Sequence, residues 1–158
     1  MRRALIRCCC AAAVAALVLP AAASALIQVD KGIAGARLGN TLAQVHAALG
    51  QPTRSATGRN EFGTFRQETY KGGIVVFYQG ARTVSSVTTA GLGDRTAKGV
   101  GVGSTERDVR ANVAGVRCET TGGFRSCHTG AFVAGRRVTD FSIRRGRVTR
   151  VTVGFVID

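Results

Sequence analysis

The sequence has 158 residues, with 22 Lys and Arg against 9 Asp and Glu, which gives a formal net charge of +13. This length suits one domain, or two small domains that share a core. Hydrophobic residues make up 45% of the chain, which excludes a disordered polycation, and 21 glycines favour strands joined by tight turns. Because there are only two histidines and nine acidic residues, we expect no cofactor and no metal centre.

The first 25 residues have the pattern of a secretory signal peptide. Three arginines within the first seven residues precede an apolar run over residues 8–19, and Ala23-Ser24-Ala25 supplies the small residues that signal peptidase requires. We therefore predict cleavage after Ala25 and a secreted, extracellular or cell-envelope location. No later stretch approaches about 18 consecutive apolar residues, so we predict no membrane span in the mature chain.

Removal of residues 1–25 takes away three arginines and no acid, which leaves 19 basic residues against 9 acidic ones, a charge of +10. It also leaves two cysteines, Cys118 and Cys127. Two cysteines in an exported domain are expected to form a disulfide, and Gly122-Gly123 between them indicates a hairpin turn. The alternative is a metal site that adds His128, but this set lacks a fourth ligand and export favours oxidised thiols.

The remaining chain matches itself at a shift of 64 residues. The matches fall in two blocks in the same register, at Leu38–Thr41 against Val102–Thr105 and, further on, at Phe77, Val84, Val87 and Thr88 against Phe141, Val148, Val151 and Thr152. Each unit begins with a polar capping pattern and a short apolar stripe, followed by runs typical of strands. We therefore predict an α+β fold of two tandem helix-plus-antiparallel-sheet repeats, spanning residues 26–96 and 97–158.

The repeat has a defined pattern: Gly, a polar residue and Thr, then Val after three residues, a short helix, a Gly or Pro stop and a hairpin. It resembles the repeat of the beta-lactamase inhibitor protein and of BamE-like (SmpA/OmlA) assembly modules over most of residues 32–157. The second unit carries the pattern most fully, in Val102–Val109, Gly115 and the hairpin between Cys118 and Cys127. The resemblance implies a sheet whose face and hairpin loops bind another protein. Beta-lactamase inhibition is not carried over, because Ala134–Arg137 is basic where the inhibitor has an acidic residue beside an aromatic one.

The motifs that could indicate nucleotide binding or catalysis are incomplete or have a structural explanation. The segment Gly99–Ser104 lacks the Gly-Lys-Ser/Thr of a phosphate loop and the third glycine of a dinucleotide fingerprint. His46 and His128 stand in no recognisable nucleophile motif. Glu106 and Asp108 begin a predicted helix, where acidic side chains favour the helix dipole. We predict no catalytic residues and no enzyme, and a small hydrolase is the least favoured interpretation.

The sequence therefore predicts an exported, non-catalytic protein-binding module, either inhibitor-like or envelope-assembly-like. Aromatic and arginine side chains usually carry interface energy, so the candidate partner-binding residues are Phe62, Phe65, Tyr70, Tyr78, Arg136 and Arg137. The expected partner is a secreted or cell-surface protein. The alternative is an electrostatic binder of an anionic cell-wall polymer, which the arginine clusters at 136–137 and 144–150 favour. Nucleic acid is not an expected partner, because the chain is exported and lacks an aromatic stacking platform.

Overall fold

The computed structural model describes residues 26–80 and 82–157, and the predicted signal peptide lies outside them. Two short helices and eleven strands make up the regular structure of these residues. In chain order they are β1 (Ile27–Gln28), β2 (Gly32–Ile33), β3 (Ala36–Arg37), α1 (Leu42–Leu49), β4 (Arg54–Asn60), β5 (Gly63–Thr69), β6 (Val75–Gln79), β7 (Ser86–Thr89), α2 (Glu106–Asn112), β8 (Arg117–Thr121), β9 (Phe124–His128), β10 (Arg137–Arg144) and β11 (Arg147–Phe155). Neither helix approaches the length and apolar character that a transmembrane span requires.

Eight strands form a single antiparallel sheet in the order β4-β5-β6-β7-β11-β10-β9-β8, and β1 to β3 form a small second sheet. The two runs of four strands meet where β7 pairs with β11. At this seam Thr88 lies opposite Thr152, and their side-chain oxygens are 3.0 Å apart. The two halves of the chain are therefore joined through continuous backbone pairing.

The predicted fold class is wrong. Strand accounts for 47% of the structure and helix for only 11%, so the protein is mostly β, and its eight long strands form one sheet instead of two helix-plus-sheet repeats. The 64-residue shift keeps Val87 and Val151 on the same face of the sheet but fails between β6 and β10. Phe77 lies half-buried on one face of the sheet, whereas Phe141 is fully buried on the other.

Both helices begin with the capping box that the sequence predicts. In α1 the Thr41 side chain accepts a hydrogen bond from the Gln44 N–H, and the Gln44 side chain accepts one from the Thr41 N–H in return. Thr105 and Asp108 repeat this arrangement at the start of α2. These paired bonds satisfy backbone donors that a helix start otherwise leaves free, and they let helices of eight and seven residues form where packing is limited.

One face of the eight-stranded sheet, the inner face, is covered by both helices and by the small sheet. The core lies between these layers and includes Val45 of α1, Val109 of α2 and Ile33 of β2, all 1% exposed or less. Its sheet residues are Val76, Tyr78, Val87, Phe141, Val151 and Val153. Because strand side chains alternate between faces, the residues between these ones point to the opposite side, the outer face.

The glycine-rich segment Gly99–Ser104 leads into α2. Gly99 and Gly103 have φ angles of 77° and 90°, a region that L side chains rarely adopt. A Cβ on Gly101 would collide with the backbone carbonyl oxygen of Asp94. The backbone path therefore accounts for the glycines.

Candidate functional site

Within the described residues, the helices and the small sheet all pack on the inner face. The outer face is open over β4 to β7 and β11, whereas Phe132, in the loop after β9, packs on the buried His128 of that face. Strand register places half-buried and exposed side chains along this open part. Its central residues are Phe65, Gln67, Val75, Phe77, Ser86, Thr88, Arg150 and Thr152. The surface is an open platform of aromatic, small polar and cationic groups.

Two phenylalanines stack at one side of the outer face. The rings of Phe65 on β5 and Phe77 on β6 lie 5.2 Å apart between centroids, with an interplanar angle of 24°. Gly58 lies opposite Phe65 in the register of β4, and a Cβ there would come within 2.6 Å of the Phe65 ring. The glycine thus leaves room for the ring to lie over β4, and the pair presents a preformed apolar contact.

Exposed phenylalanines also occur at the two outer hairpins of the sheet. Phe62 in the β4–β5 turn is 42% exposed, and Phe124 at the β8–β9 turn is 80% exposed. Because strands alternate in direction across the sheet, these turns lie at opposite ends of the sheet as well as at opposite edges. The sequence predicts Phe62 and Phe65 as contact residues but misses Phe77 and Phe124, although Gly122-Gly123 marks the turn beside Phe124.

The structure places Tyr70 and Tyr78 on the inner face, where they are 3% and 0% exposed. Both hydroxyls donate to Oε2 of Glu68, Tyr70 at 2.6 Å and Tyr78 at 3.2 Å. Burial, together with the adjacent carboxylate, raises the pKa of Tyr78 to about 12 and raises the pKa of Tyr70 further. The two tyrosines are therefore left out of the proposed contact surface.

His46 joins the same cluster from α1. Its Nε2 lies 3.1 Å from Oε2 of Glu68, and the Arg66 Nε lies 3.4 Å from Oε1. A histidine held by a carboxylate is one half of a catalytic arrangement, which also needs an activated nucleophile. The nearby hydroxyls, on Tyr70 and Tyr78, have raised pKa values, which is the opposite of activation. The geometry fits a buried polar cluster that holds α1 on the sheet.

Arginines occupy both ends of β10. Arg136 and Arg137 lie exposed at its start, and the Arg137 guanidinium lies 5.6 Å from the centroid of the Phe155 ring. The exposed Arg144, Arg145 and Arg147 lie at the turn that joins β10 to β11. The two clusters are separated by the length of the strand and do not form one patch.

The predicted disulfide is confirmed: Cys118 and Cys127 are bridged, with Cα atoms 3.9 Å apart in a directly opposed pair of β8 and β9. His128 points to the other face of the sheet, where its ring centroid is 4.4 Å from that of Phe132. The alternative Cys–Cys–His metal set therefore does not assemble. Glu106 lies close to both sulfur atoms, but oxidised sulfurs are poor metal ligands and this carboxylate pairs with arginines.

Glu106 makes the stability of the α2 end depend on pH. Its carboxylate accepts hydrogen bonds from Arg125 at 2.5 and 3.0 Å and from Arg110 at 2.9 Å, and these bonds lower its pKa to about 2. A depressed folded-state pKa adds stability above the unfolded value of about 4.3, and this stability is lost as pH falls towards 2.

We expect Glu106→Gln to reduce the free energy of unfolding by about 1 kcal/mol near neutral pH, because the pair is partly exposed to solvent. The difference from the wild type should shrink between about pH 4.5 and pH 2 as the wild-type carboxylate becomes protonated. Urea titrations across pH 2–7 measure both profiles. Parallel profiles throughout that range would contradict the assignment.

No family model matches the sequence, and no curated protein matches it. Among solved structures, the chain is similar to an uncharacterized protein, YfeY, from Escherichia coli, with a TM-score of 0.54, 18% identity, and coverage of 79% of this chain and 97% of that one. It is also similar to an extracellular protein with an SCP domain from Bacillus anthracis, with a TM-score of 0.50, 11% identity, and coverage of 75% of this chain and 44% of that one. Identities this low show a shared fold alone. Neither protein is described as an inhibitor or a BamE-like module, so that resemblance stays a prediction.

Proposed function

We propose that the protein is an exported, non-catalytic module that binds another protein with the outer face of its sheet. The observation that carries this proposal is the uncovered outer face with the stacked Phe65 and Phe77 on it. Export is supported by the leader pattern of residues 1–25 and by the disulfide. An extracellular protein among those that share the fold is consistent with this location.

The size of the surface suits a folded partner. Eight strands at a spacing of about 4.8 Å span about 34 Å, which is wide enough for a protein interface of standard size. The aromatic pair has Gln79 and Gln67 directly opposite it in the β5–β6 register and Ser86 beside it on β7. Short side chains such as Ser lose little entropy on contact. Aromatic anchors among uncharged polar groups fit an interface centre, where charged residues are depleted.

The charge of the chain indicates an acidic partner. Residues 26–158 carry a net charge of +10, and strand register places Arg54, Arg117 and Arg150 on the outer face, all of them exposed. Asp140 and Glu119 are the acidic residues that register places on the same face. A partner with a negative surface would be steered towards this face and would gain complementary pairs at its rim.

An anionic cell-wall polymer remains the second candidate, because Arg144, Arg145 and Arg147 stand together and exposed at one turn. The two proposals differ in their response to salt. A polymer held by guanidinium groups should be released steeply as ionic strength rises, whereas a packed aromatic contact should lose only its charged rim.

We expect the double substitution Phe65→Ala and Phe77→Ala to weaken partner binding about 30-fold, since removal of a central aromatic anchor costs about 2 kcal/mol. The protein would be used to capture partners from secreted and envelope fractions, and the Kd for the captured protein would then be measured by titration. Leu92→Ala serves as the matched control, because Leu92 is 70% exposed and lies in the connection from β7 to α2.

A second variant keeps this test independent of folding. Gln67 is exposed on the outer face, so Gln67→Asp should leave the thermal unfolding curve unchanged and still weaken binding by charge repulsion from an acidic partner. A partner whose affinity is the same for all three variants and the wild type would refute the outer face as the contact surface.

A further inference from the structure

A cleft of about 590 Å³ opens on the inner side of the molecule, away from the outer face. Four segments form it: the β1 end with the loop that follows it, Arg37 of β3, the turn at residues 96–98, and the C-terminal end of α2. Its apolar floor consists of Ile27, Val29, Ala97, Val113 and Ala114, and the polar residues Gln28, Thr96 and Asn112 also line the cleft. The volume lies within the range of about 300–1,000 Å³ that small-molecule sites usually have.

The rim of this cleft is cationic. Lys31, Arg37 and Lys98 all line it, and all three are exposed. No acidic side chain lines the cleft, and within the described residues none of the three cations has a carboxylate partner within 4.0 Å. Positive charge at the mouth of an apolar cavity attracts anions and raises their local concentration.

The positions that correspond to part of this cleft are packed at the other helix, α1. Gly35 packs on the end of α1, where an added Cβ would lie 3.2 Å from the Ala48 Cβ. The residues 64 positions further on are Gly99 and Asn112, and a Cβ on Gly99 would meet nothing within 4 Å. Asn112 instead lines the open cleft. The space that α1 fills by packing is therefore left empty beside α2.

We propose that this cleft binds a single-chain amphiphile with a carboxylate head, such as a medium-chain fatty acid. The apolar floor would hold the alkyl chain, because removing CH₂ groups from water is favourable. Lys31 and Lys98 would bind the carboxylate at the rim, and Arg37 could do so with two parallel hydrogen bonds. Both parts of the ligand are needed, because exposed charge pairs alone contribute little affinity.

Three probes distinguish the contribution of the carboxylate head group to binding from that of the alkyl chain. Decanoate, decyltrimethylammonium and acetate, each below any micelle-forming concentration, would be titrated by calorimetry into the protein recovered after expression with its own leader. We expect saturable one-to-one binding of decanoate, at least tenfold weaker binding of the cationic amphiphile, and no measurable binding of acetate. Equal binding of both amphiphiles, or binding of acetate as tight as that of decanoate, would overturn the proposal.

The lysines of this chain allow the site to be located. There are three, and two of them, Lys31 and Lys98, line the cleft, whereas Lys71 lies at the turn between β5 and β6. Decanoate should protect Lys31 and Lys98 from acetylation, as read by mass spectrometry, and leave Lys71 as reactive as before. Uniform protection of all three would show non-specific association with a basic protein and would refute the site.

Substitutions provide the second measurement. We expect Lys31→Gln and Lys98→Gln each to weaken decanoate binding about threefold and the double variant about tenfold. Lys71→Gln, which removes the same charge elsewhere, should leave the affinity unchanged. The cleft proposal does not rest on the protein-binding function, so the Phe65→Ala and Phe77→Ala variant should bind decanoate as the wild type does. An unchanged affinity in the double lysine variant would overturn the proposal.

Discussion

Replacing Glu68 with glutamine should lower the free energy of unfolding by about 2–4 kcal/mol, because it removes the acceptor on which a buried cluster depends. Glu68 is 1% exposed, and its carboxylate oxygens face the hydroxyls of Tyr70 and Tyr78, the His46 imidazole and the Arg66 guanidinium. A neutral amide offers one oxygen and two unwanted donors to these partners. Several buried donors would then lose their acceptor in a region of low dielectric.

Urea unfolding followed by circular dichroism measures this loss. Glu61→Gln is the matched control, since Glu61 undergoes the same chemical change seven residues away in the exposed β4–β5 turn and should shift stability by less than about 0.5 kcal/mol. Tyr70→Phe should cost about 1–2 kcal/mol, because it deletes the 2.6 Å bond and leaves the ring in place. If Glu68→Gln is as stable as Glu61→Gln, the carboxylate is not what holds the cluster together.

Local signals in the sequence predicted local structure well. The two threonine capping boxes form at Thr41 and Thr105, and the hairpin closed by Cys118 and Cys127 forms around Gly122-Gly123. Each of these features is decided within about ten residues, where side-chain chemistry and turn geometry dominate.

The fold class depended on contacts that no local pattern encodes. A single pairing, β7 with β11, turns two runs of four strands into one sheet. Thr88 and Thr152, which meet at this seam, are 64 residues apart in the chain. A threonine in a strand does not indicate which other strand it will lie beside. The alignment was also wrong between β6 and β10, since a register change of one residue moves a side chain to the other face, as it does for Phe77 relative to Phe141.

The same physical reason explains why the sequence did not show that Tyr70 and Tyr78, two of the six candidate contact residues, are buried. Strand alternation separates Phe65 from Tyr70 and Phe77 from Tyr78, yet alternation alone does not say which face is buried. Glu68 and Tyr70 share one face with Val76 and Tyr78, and burial of that face is known only once α1 and its His46 are placed over it. The cleft at Lys31 and Lys98 is harder still to predict, because four separate segments build it.

Removal of the disulfide should be the other large loss, about 2–3 kcal/mol for Cys118→Ser with Cys127→Ser, on the loop-closure estimate for cysteines nine residues apart. The bridge matters here because β8 is an edge strand that pairs only with β9 in the sheet. The loss should also be local: hydrogen exchange should speed up in β8 and β9, while β4 and β5, which form a hairpin without a bridge, should exchange as before. Unfolding of the wild type with and without reductant gives an independent measure, and the reductant should not affect the serine variant. Equal acceleration across both hairpins would instead show that the disulfide stabilises the whole sheet, and an unchanged unfolding midpoint would show that pairing and packing hold this edge without it.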